Sequence, residues 1–387
     1  MKKYILLLFY ILFLLQGCKE VYDPLIISPQ TGYLVVEGLI NSGTEPTTIK
    51  LSRTTKLEES VFQKPEINAS VVVEGDNNTT FTLVQSGAGI YSSSQPLQLN
   101  ATASYRIKIN TSDGGEYVSR YSSVRTTPVI DSITWKPENN GVQIYVHNHD
   151  DKTNEKSYYR WQYNETWEIR SNFLGSLKYE YNQRNEPIAI AYKFPDQSFD
   201  NSIFYCWQSF SSSNLLLGST EKLSKNVIYL PIAFIPQASV KLGVLYSIEL
   251  KQYALSKEAY DFYVQMKKNT EQLGSIFDPQ PSDIRGNITS VNNPSEIVIG
   301  YVEVNSEQTK RMFISEREVP DWGYQRYCEV FIVPNTEIAI KENSGRLPVV
   351  PTEFNNDGSI KTFQATVPDC LDCRTRGTNI KPSFWPN

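Results

Sequence analysis

Histidine and methionine are almost missing from this chain: two and three residues out of 387. Two histidines nearly exclude multi-histidine metal centres and most histidine-based catalytic triads before any motif is sought. There is no surplus of basic charge either, since 37 Lys and Arg face 42 Asp and Glu for a net charge of -5. Phosphate backbones are gripped through a positive footprint, so nucleic acid is not an expected partner. Beyond the N-terminus no segment has roughly 18 continuous apolar residues, so no membrane-spanning helix is expected. H-E-x-x-H, G-x-S-x-G and the P-loop are missing, and Gly87-Ala88-Gly89 is too short to count as a nucleotide loop. No cofactor is expected.

What the chain does have is tyrosine, 24 of them. A tyrosine-rich, turn-rich composition suits sheets more than helical bundles. At the N-terminus Lys2 and Lys3 precede an apolar run from Tyr4 to Leu15, which ends in Leu15-Gln16-Gly17-Cys18. A basic start, a short apolar core and a small residue before the cut make a secretory signal, too short for the ~20 residues that span a bilayer. Leu-Gln-Gly-Cys resembles the bacterial lipobox. It predicts a signal peptide over 1–17 and a lipid-modified Cys18, the alternative being an ordinary signal peptide with a chance cysteine. Acyl chains on Cys18 would anchor an otherwise soluble body to the outer membrane. Residues 18–30, with Pro24 and Pro29, read as an extended tether. Glu20 and Asp23 are the only acidic residues near the cysteine, so the cell-surface and periplasmic faces of that membrane both stay open.

Cys206, Cys328, Cys370 and Cys373 remain in the body. In an oxidising envelope an even set reads as two disulfides, with three connectivities open. Cys370-x-x-Cys373 also has the spacing of redox and zinc motifs. A redox site would require a βαβ context that the tail does not offer.

Between Tyr33 and Arg125 short alternating segments are separated by turn clusters: Tyr33 to Leu39, Thr48 to Arg53, Ala69 to Glu74, Thr79 to Val84 and Tyr105 to Thr111. Asp76-Asn77-Asn78 and Ser112-Asp113-Gly114-Gly115 supply the positive-φ residues that tight hairpins need. The fold class is therefore mainly β. An immunoglobulin-like β-sandwich is expected over 31–127, ended by Thr127-Pro128, and a larger β-rich domain with at least one amphipathic helix over 128–387. Lys178 to Asn201 and Ser209 to Lys225 read as long exposed connections. Ser256 is the expected N-cap of a helix that keeps Ala259, Phe262, Tyr263, Met266 and Leu273 on one face and stops at Gly274.

From that helix onward the chain carries Tyr260-x-x-Tyr263, Lys268-Asn269-Thr270-Glu271, Phe277-Asp278-Pro279-Gln280-Pro281-Ser282, Gly286-Asn287-Ile288 and Asn293-Pro294-x-Glu296-x-Val298-x-Gly300-Tyr301. Elsewhere stand Pro128-x-Ile130-Asp131-x-Ile133, the strand Tyr158-Tyr159-Arg160-Trp161, and a tail from Cys370-x-Asp372-Cys373-Arg374 to Phe384-Trp385. Together with the lipobox these resemble the Bacteroidota lipoproteins of the domain-of-unknown-function family 4249. Arg376 departs from the family pattern, which usually has glycine there. The resemblance implies no established enzymatic activity. It does imply genes lying beside those of TonB-dependent outer-membrane receptors, and hence an accessory or ligand-capture role. The alternative is an envelope hydrolase or binding protein acting on glycans or peptides.

Several residues could carry chemistry. His147 and His149 would share one face of a strand, with Asp150 adding an oxygen ligand, although a solvated turn explains the same string. Asp131-Ser132-Ile133 resembles a Bacteroidota O-glycosylation signal with Ser132 as acceptor, and a buried strand competes with that reading. Phe277, Asp278 and Tyr301 mark the expected contact region, because the resemblance is densest there.

Replacing Cys18 by Ala should abolish lipidation and release the protein from the membrane fraction. Radiolabelled palmitate incorporation and a high-salt membrane wash check this, and a variant that stays lipidated or membrane-bound refutes the anchor.

Overall fold

A computed structural model describes residues 32–55, 63–138, 140–151, 155–271 and 284–386. The described residues are mainly β, with 47% in strands and 11% in helices. Cys18, its signal peptide and the tether lie outside the described residues, as do Phe277, Asp278, Leu273 and Gly274. No described helix is long and apolar enough to cross a membrane.

The first unit follows from simple alternation. In the paired strands Ser70–Gly75 and Ser104–Asn110, Val71, Val73, Tyr105, Ile107 and Ile109 point inward and are buried. Their neighbours point outward, where Arg106 pairs with Glu74 at 2.8 Å and Lys108 with Glu116 at 2.7 Å. Thr80–Gly87 joins Ser70–Gly75 on one side and Ile90–Ser92 on the other. The sheet thus folds over a core that includes Leu34, Val36, Ile49, Leu51 and Tyr91. The expected hairpin turns are present, with Asn78 at φ 62° and Gly114 at φ 91°.

This sandwich is closed by residues from far along the chain. Ile288–Ser290 pairs antiparallel with Glu116–Ser119, and Val304–Asn305 runs parallel to Ile40–Asn41. Val298, Val302 and Val304 complete its core.

In the second unit the strands Tyr205–Ser211, Tyr158–Arg170, Leu245–Leu255 and Gln308–Ser315 lie side by side, and Leu216–Ser219 extends the sheet. A three-stranded sheet of Ser132–Glu138, Gly141–His149 and Val227–Pro236 packs against it around Val142, Ile144, Trp161, Ile235, Tyr246 and Ile248. The helix Lys257–Glu271 begins where expected, with the Ser256 hydroxyl accepting from the Ala259 N–H at 3.1 Å. Its face of Ala259, Phe262 and Tyr263 is buried against Tyr158 and Leu255.

The segment Lys178 to Asn201 is not merely an exposed connection. Leu177–Tyr181 and Pro187–Tyr192 form a hairpin whose Leu177, Tyr179 and Ile190 share a core with Val333, Ile340 and Phe363. Ser209 to Lys225 likewise contributes strand residues on both sides of its turn.

Of the three connectivities the structure takes one, Cys206–Cys373 and Cys328–Cys370, with all but Cys328 deeply buried. Both bridges fasten the C-terminal tail. Their sequence separations are 167 and 42 residues. Opening a bridge with paired Cys→Ser substitutions should lower stability by about 2–4 kcal/mol. Chain entropy makes the Cys206–Cys373 pair the costlier by about 1 kcal/mol. Urea unfolding measures both, and thiol labelling of the unfolded, unreduced protein should find no free cysteine among the four.

Candidate functional site

Alternation gives the central sheet of the second unit two unlike faces. Along Leu245–Leu255 the side chains of Tyr246, Ile248 and Leu250 enter the core, which turns Ser247, Glu249, Lys251 and Tyr253 the other way. Tyr158–Arg170 does the same, with Trp161 inward and Arg160, Gln162 and Asn164 outward. This outward polar face is one wall of a cleft of about 1440 Å³. The opposite wall is the first sandwich, through Val35 to Leu39 and Thr48, and the helix supplies Phe262, Tyr263 and Met266.

Arg160 stands at the aromatic end of the cleft. Its guanidinium carbon lies 5.0 Å from the ring centre of Tyr253 and 4.7 Å from that of Tyr263. Cation–π attraction is strongest where water is excluded. The buried Nε of Arg160 has no hydrogen-bond partner among the described residues. Such an unpartnered buried donor is uncommon.

Most of the other polar groups are already matched. Glu307 accepts from Lys251 Nζ at 2.8 Å and from the Tyr253 hydroxyl at 2.7 Å. Glu249 pairs with Arg311 at 2.5 Å, and Arg311 also donates to the Ser247 hydroxyl at 3.0 Å. Burial, reinforced by Glu307, holds the Tyr253 phenol well above its usual range, so it stays a donor.

Tyr301 lines the same cleft, its ring 5.4 Å from Phe262. Glycine geometry puts it there. A side chain on Gly300, at φ 147°, would overlap the Val36 carbonyl, and one on Gly286 would overlap the Gly300 carbonyl. Behind Tyr301, Glu303 receives the Ser256 N–H at 3.3 Å on each oxygen. Burial pushes the Glu303 carboxyl above its ordinary value of 4.5, against the opposing pull of Ser256 and Arg125.

The histidine string is occupied by other partners. His147 Nε2 lies 2.8 Å from the Thr134 hydroxyl, with its ring 4.5 Å from Tyr229. His149 Nδ1 is 2.6 Å from Asp131, which raises the imidazole pKa, and Asp150 is held through its backbone N–H to Asn226. Among the described residues no group of three or more His, Cys, Asp and Glu is placed to hold a metal. Ser132 opens the Ser132–Glu138 strand at the sheet edge, half-buried, opposite His147. In the sequence Arg160 is marked only by its place in the Tyr158 to Trp161 motif.

Residues 19–311 match the profile of a family described as "Domain of unknown function (DUF4249)". No curated protein matches the chain. Among solved structures, the adhesin InvE of Yersinia pseudotuberculosis is 10% identical, over 86% of this chain and 73% of that one, with a TM-score of 0.14. A likeness so slight bears on neither fold nor function.

For Glu303 the sign of the pH effect is set by its raised pKa. A carboxyl bound more tightly to its proton in the folded state stabilises at low pH, and that contribution is lost as pH rises from 4.5 through the folded-state value. Relative to Glu303→Gln, the native protein should therefore lose stability across that window. Urea titrations from roughly pH 4 to pH 8 read the difference, and parallel curves would refute it.

Proposed function

The chain belongs to the DUF4249 family, and from that premise we propose that it is a non-catalytic outer-membrane lipoprotein that works beside a TonB-dependent receptor. Ligand capture or docking takes place at the cleft around Arg160 and Tyr301. One observation carries the reading: the half-buried guanidinium of Arg160 lies against two tyrosine rings, with its Nε unpartnered among the described residues, and lines a cleft large enough for another molecule. Pockets that bind combine apolar and aromatic surface with a few fixed polar groups, and this cleft has both.

Two features support binding over turnover. The sheet carboxylates Glu249 and Glu307 are already engaged by Arg311, Lys251 and Tyr253. The histidines are engaged elsewhere. The lipobox at Cys18 supports the anchor, and its Bacteroidota character comes from the sequence resemblance. Confinement to one membrane raises the effective concentration of partner and receptor, so a modest interface suffices.

The test is affinity purification from membranes in mild detergent. A TonB-dependent receptor should co-elute with the native protein. Tyr301→Ala and Arg160→Gln should each weaken that retention about tenfold, the loss expected at an aromatic or arginine hot spot. Failure of any receptor to co-elute overturns the reading. So does turnover of a glycan or peptide that is lost on changing a single carboxylate.

A further inference from the structure

A second cavity, of about 790 Å³, opens at the far end of the same sheet, where the C-terminal tail returns. The side chains that meet there are widely separated in sequence. Arg170, Arg317, Arg326, Arg376 and Lys381 line it, against Glu168 and Glu316. Glu168 is spent on Arg170, at 2.7 Å, and on the Trp385 indole, at 3.4 Å. Arg326 reaches Asp369 at the rim, at 3.4 Å. Positive charge exceeds negative in a space that is partly closed to water.

Arg376 is the centre of the argument. Its Nη2 donates to the Arg170 carbonyl at 2.9 Å, while its buried Nε has no partner among the described residues. Burial lowers its pKa, and the neighbouring Arg326 charge lowers it further. An anion would relieve both effects, because it supplies an acceptor and screens the two guanidiniums from each other. Trp207 also lines this cavity, and its buried indole N–H has no partner among the described residues. Tyr205, Tyr324 and Trp385 provide flat surface around these donors.

The tail is held in place by several contacts. Cys373 is bonded to Cys206, next to Trp207. Trp207 and Thr378 exchange backbone hydrogen bonds at 2.8 and 2.9 Å. A side chain on Gly377 would press on the Trp207 carbonyl at 2.6 Å, so glycine permits the approach. Trp385 packs 5.6 Å from Phe313 and 6.4 Å from Trp207.

We propose that this cavity is a binding site for an organic carboxylate, whose oxygens meet Arg376 and the Trp207 indole while its flat apolar body lies against the aromatic walls. A cavity of this size suits a small molecule with a body better than a bare ion. The proposal rests on this cavity alone and stands or falls separately from the receptor reading.

Calorimetric titration of the purified full-length chain tests it, with 2-naphthoate, its neutral amide 2-naphthamide, and inorganic phosphate as probes. Naphthoate should bind saturably. The amide, without charge, and the Arg376→Gln variant should each lower affinity about tenfold or more. Should Arg376→Gln fail to fold by circular dichroism, Arg326→Gln takes its place and should lower affinity several-fold. No saturable naphthoate binding, equal binding of acid and amide, or unchanged affinity in the folded variant overturns the proposal. Saturable binding of phosphate without naphthoate overturns the carboxylate assignment.

Discussion

A single buried amide sets the geometry on which both cavities depend. Gln252 is fully buried, and its side-chain oxygen accepts the Trp161 indole N–H at 2.8 Å. Its amide nitrogen donates to the Pro128 carbonyl at 2.8 Å and lies 3.3 Å from the Asn148 side chain. One residue thus ties two neighbouring strands to the inter-unit segment and to the facing sheet. A slip of one residue in this pairing would turn one strand over, sending either Gln252 outward and Tyr253 into the core or Trp161 outward and Arg160 into the core. Leaving such groups unpaired in the interior costs about 1–3 kcal/mol each, so the register is strongly defended.

The cleft needs a second constraint, because its walls come from two units. The return of residues 288–305 to the first sandwich supplies it. The Asn287 side chain grips Val302 in both directions, donating to its carbonyl at 2.7 Å and accepting from its N–H at 2.9 Å. Asn305 then donates to the Ala254 carbonyl at 2.9 Å, on a strand of the second unit. Thr127 adds a crossing of its own, since its hydroxyl accepts the Ala254 N–H at 3.0 Å. The aromatic end of the cleft is thereby bounded by hydrogen-bonded backbone on both sides.

Legibility in the sequence followed the range of the interactions. Alternation in Ser70–Gly75 and Ser104–Asn110, the Asn and Gly turns, and the Ser256 cap are local, and each could be read from its own segment. The hairpin at 177–192 is hidden in the sequence because its inward residues alternate with Lys178, Glu180 and a polar turn, which reads as solvated chain. The parallel pairing of Ile40–Asn41 with Val304–Asn305 has no sequence signature at all: it is a short non-local contact with nothing adjacent to announce it. Cysteine pairing is equally silent, since spacing does not select among connectivities. The histidine string could be read as a motif, but its Asp131 and Thr134 partners come from the neighbouring strand and are invisible in one dimension.

The two cavities share a strand, yet this does not couple them. Arg160 and Arg170 lie ten positions apart on Tyr158–Arg170, about 33 Å at the usual rise of an extended chain. Coupling over that distance needs an element with two alternative arrangements that both sites bias. The intervening strand offers one register, fixed on one side by its pairing with Leu245–Leu255 and on the other by Tyr205–Ser211. Its core face carries Trp161, Trp167 and Ile169, all buried, and close-packed side chains of that size leave little room for a second packing. The strand is therefore a rigid ruler. It holds Arg160 at the junction of the two units and Arg170 by the disulfide-pinned tail, and a substitution near either should act on its own surroundings alone.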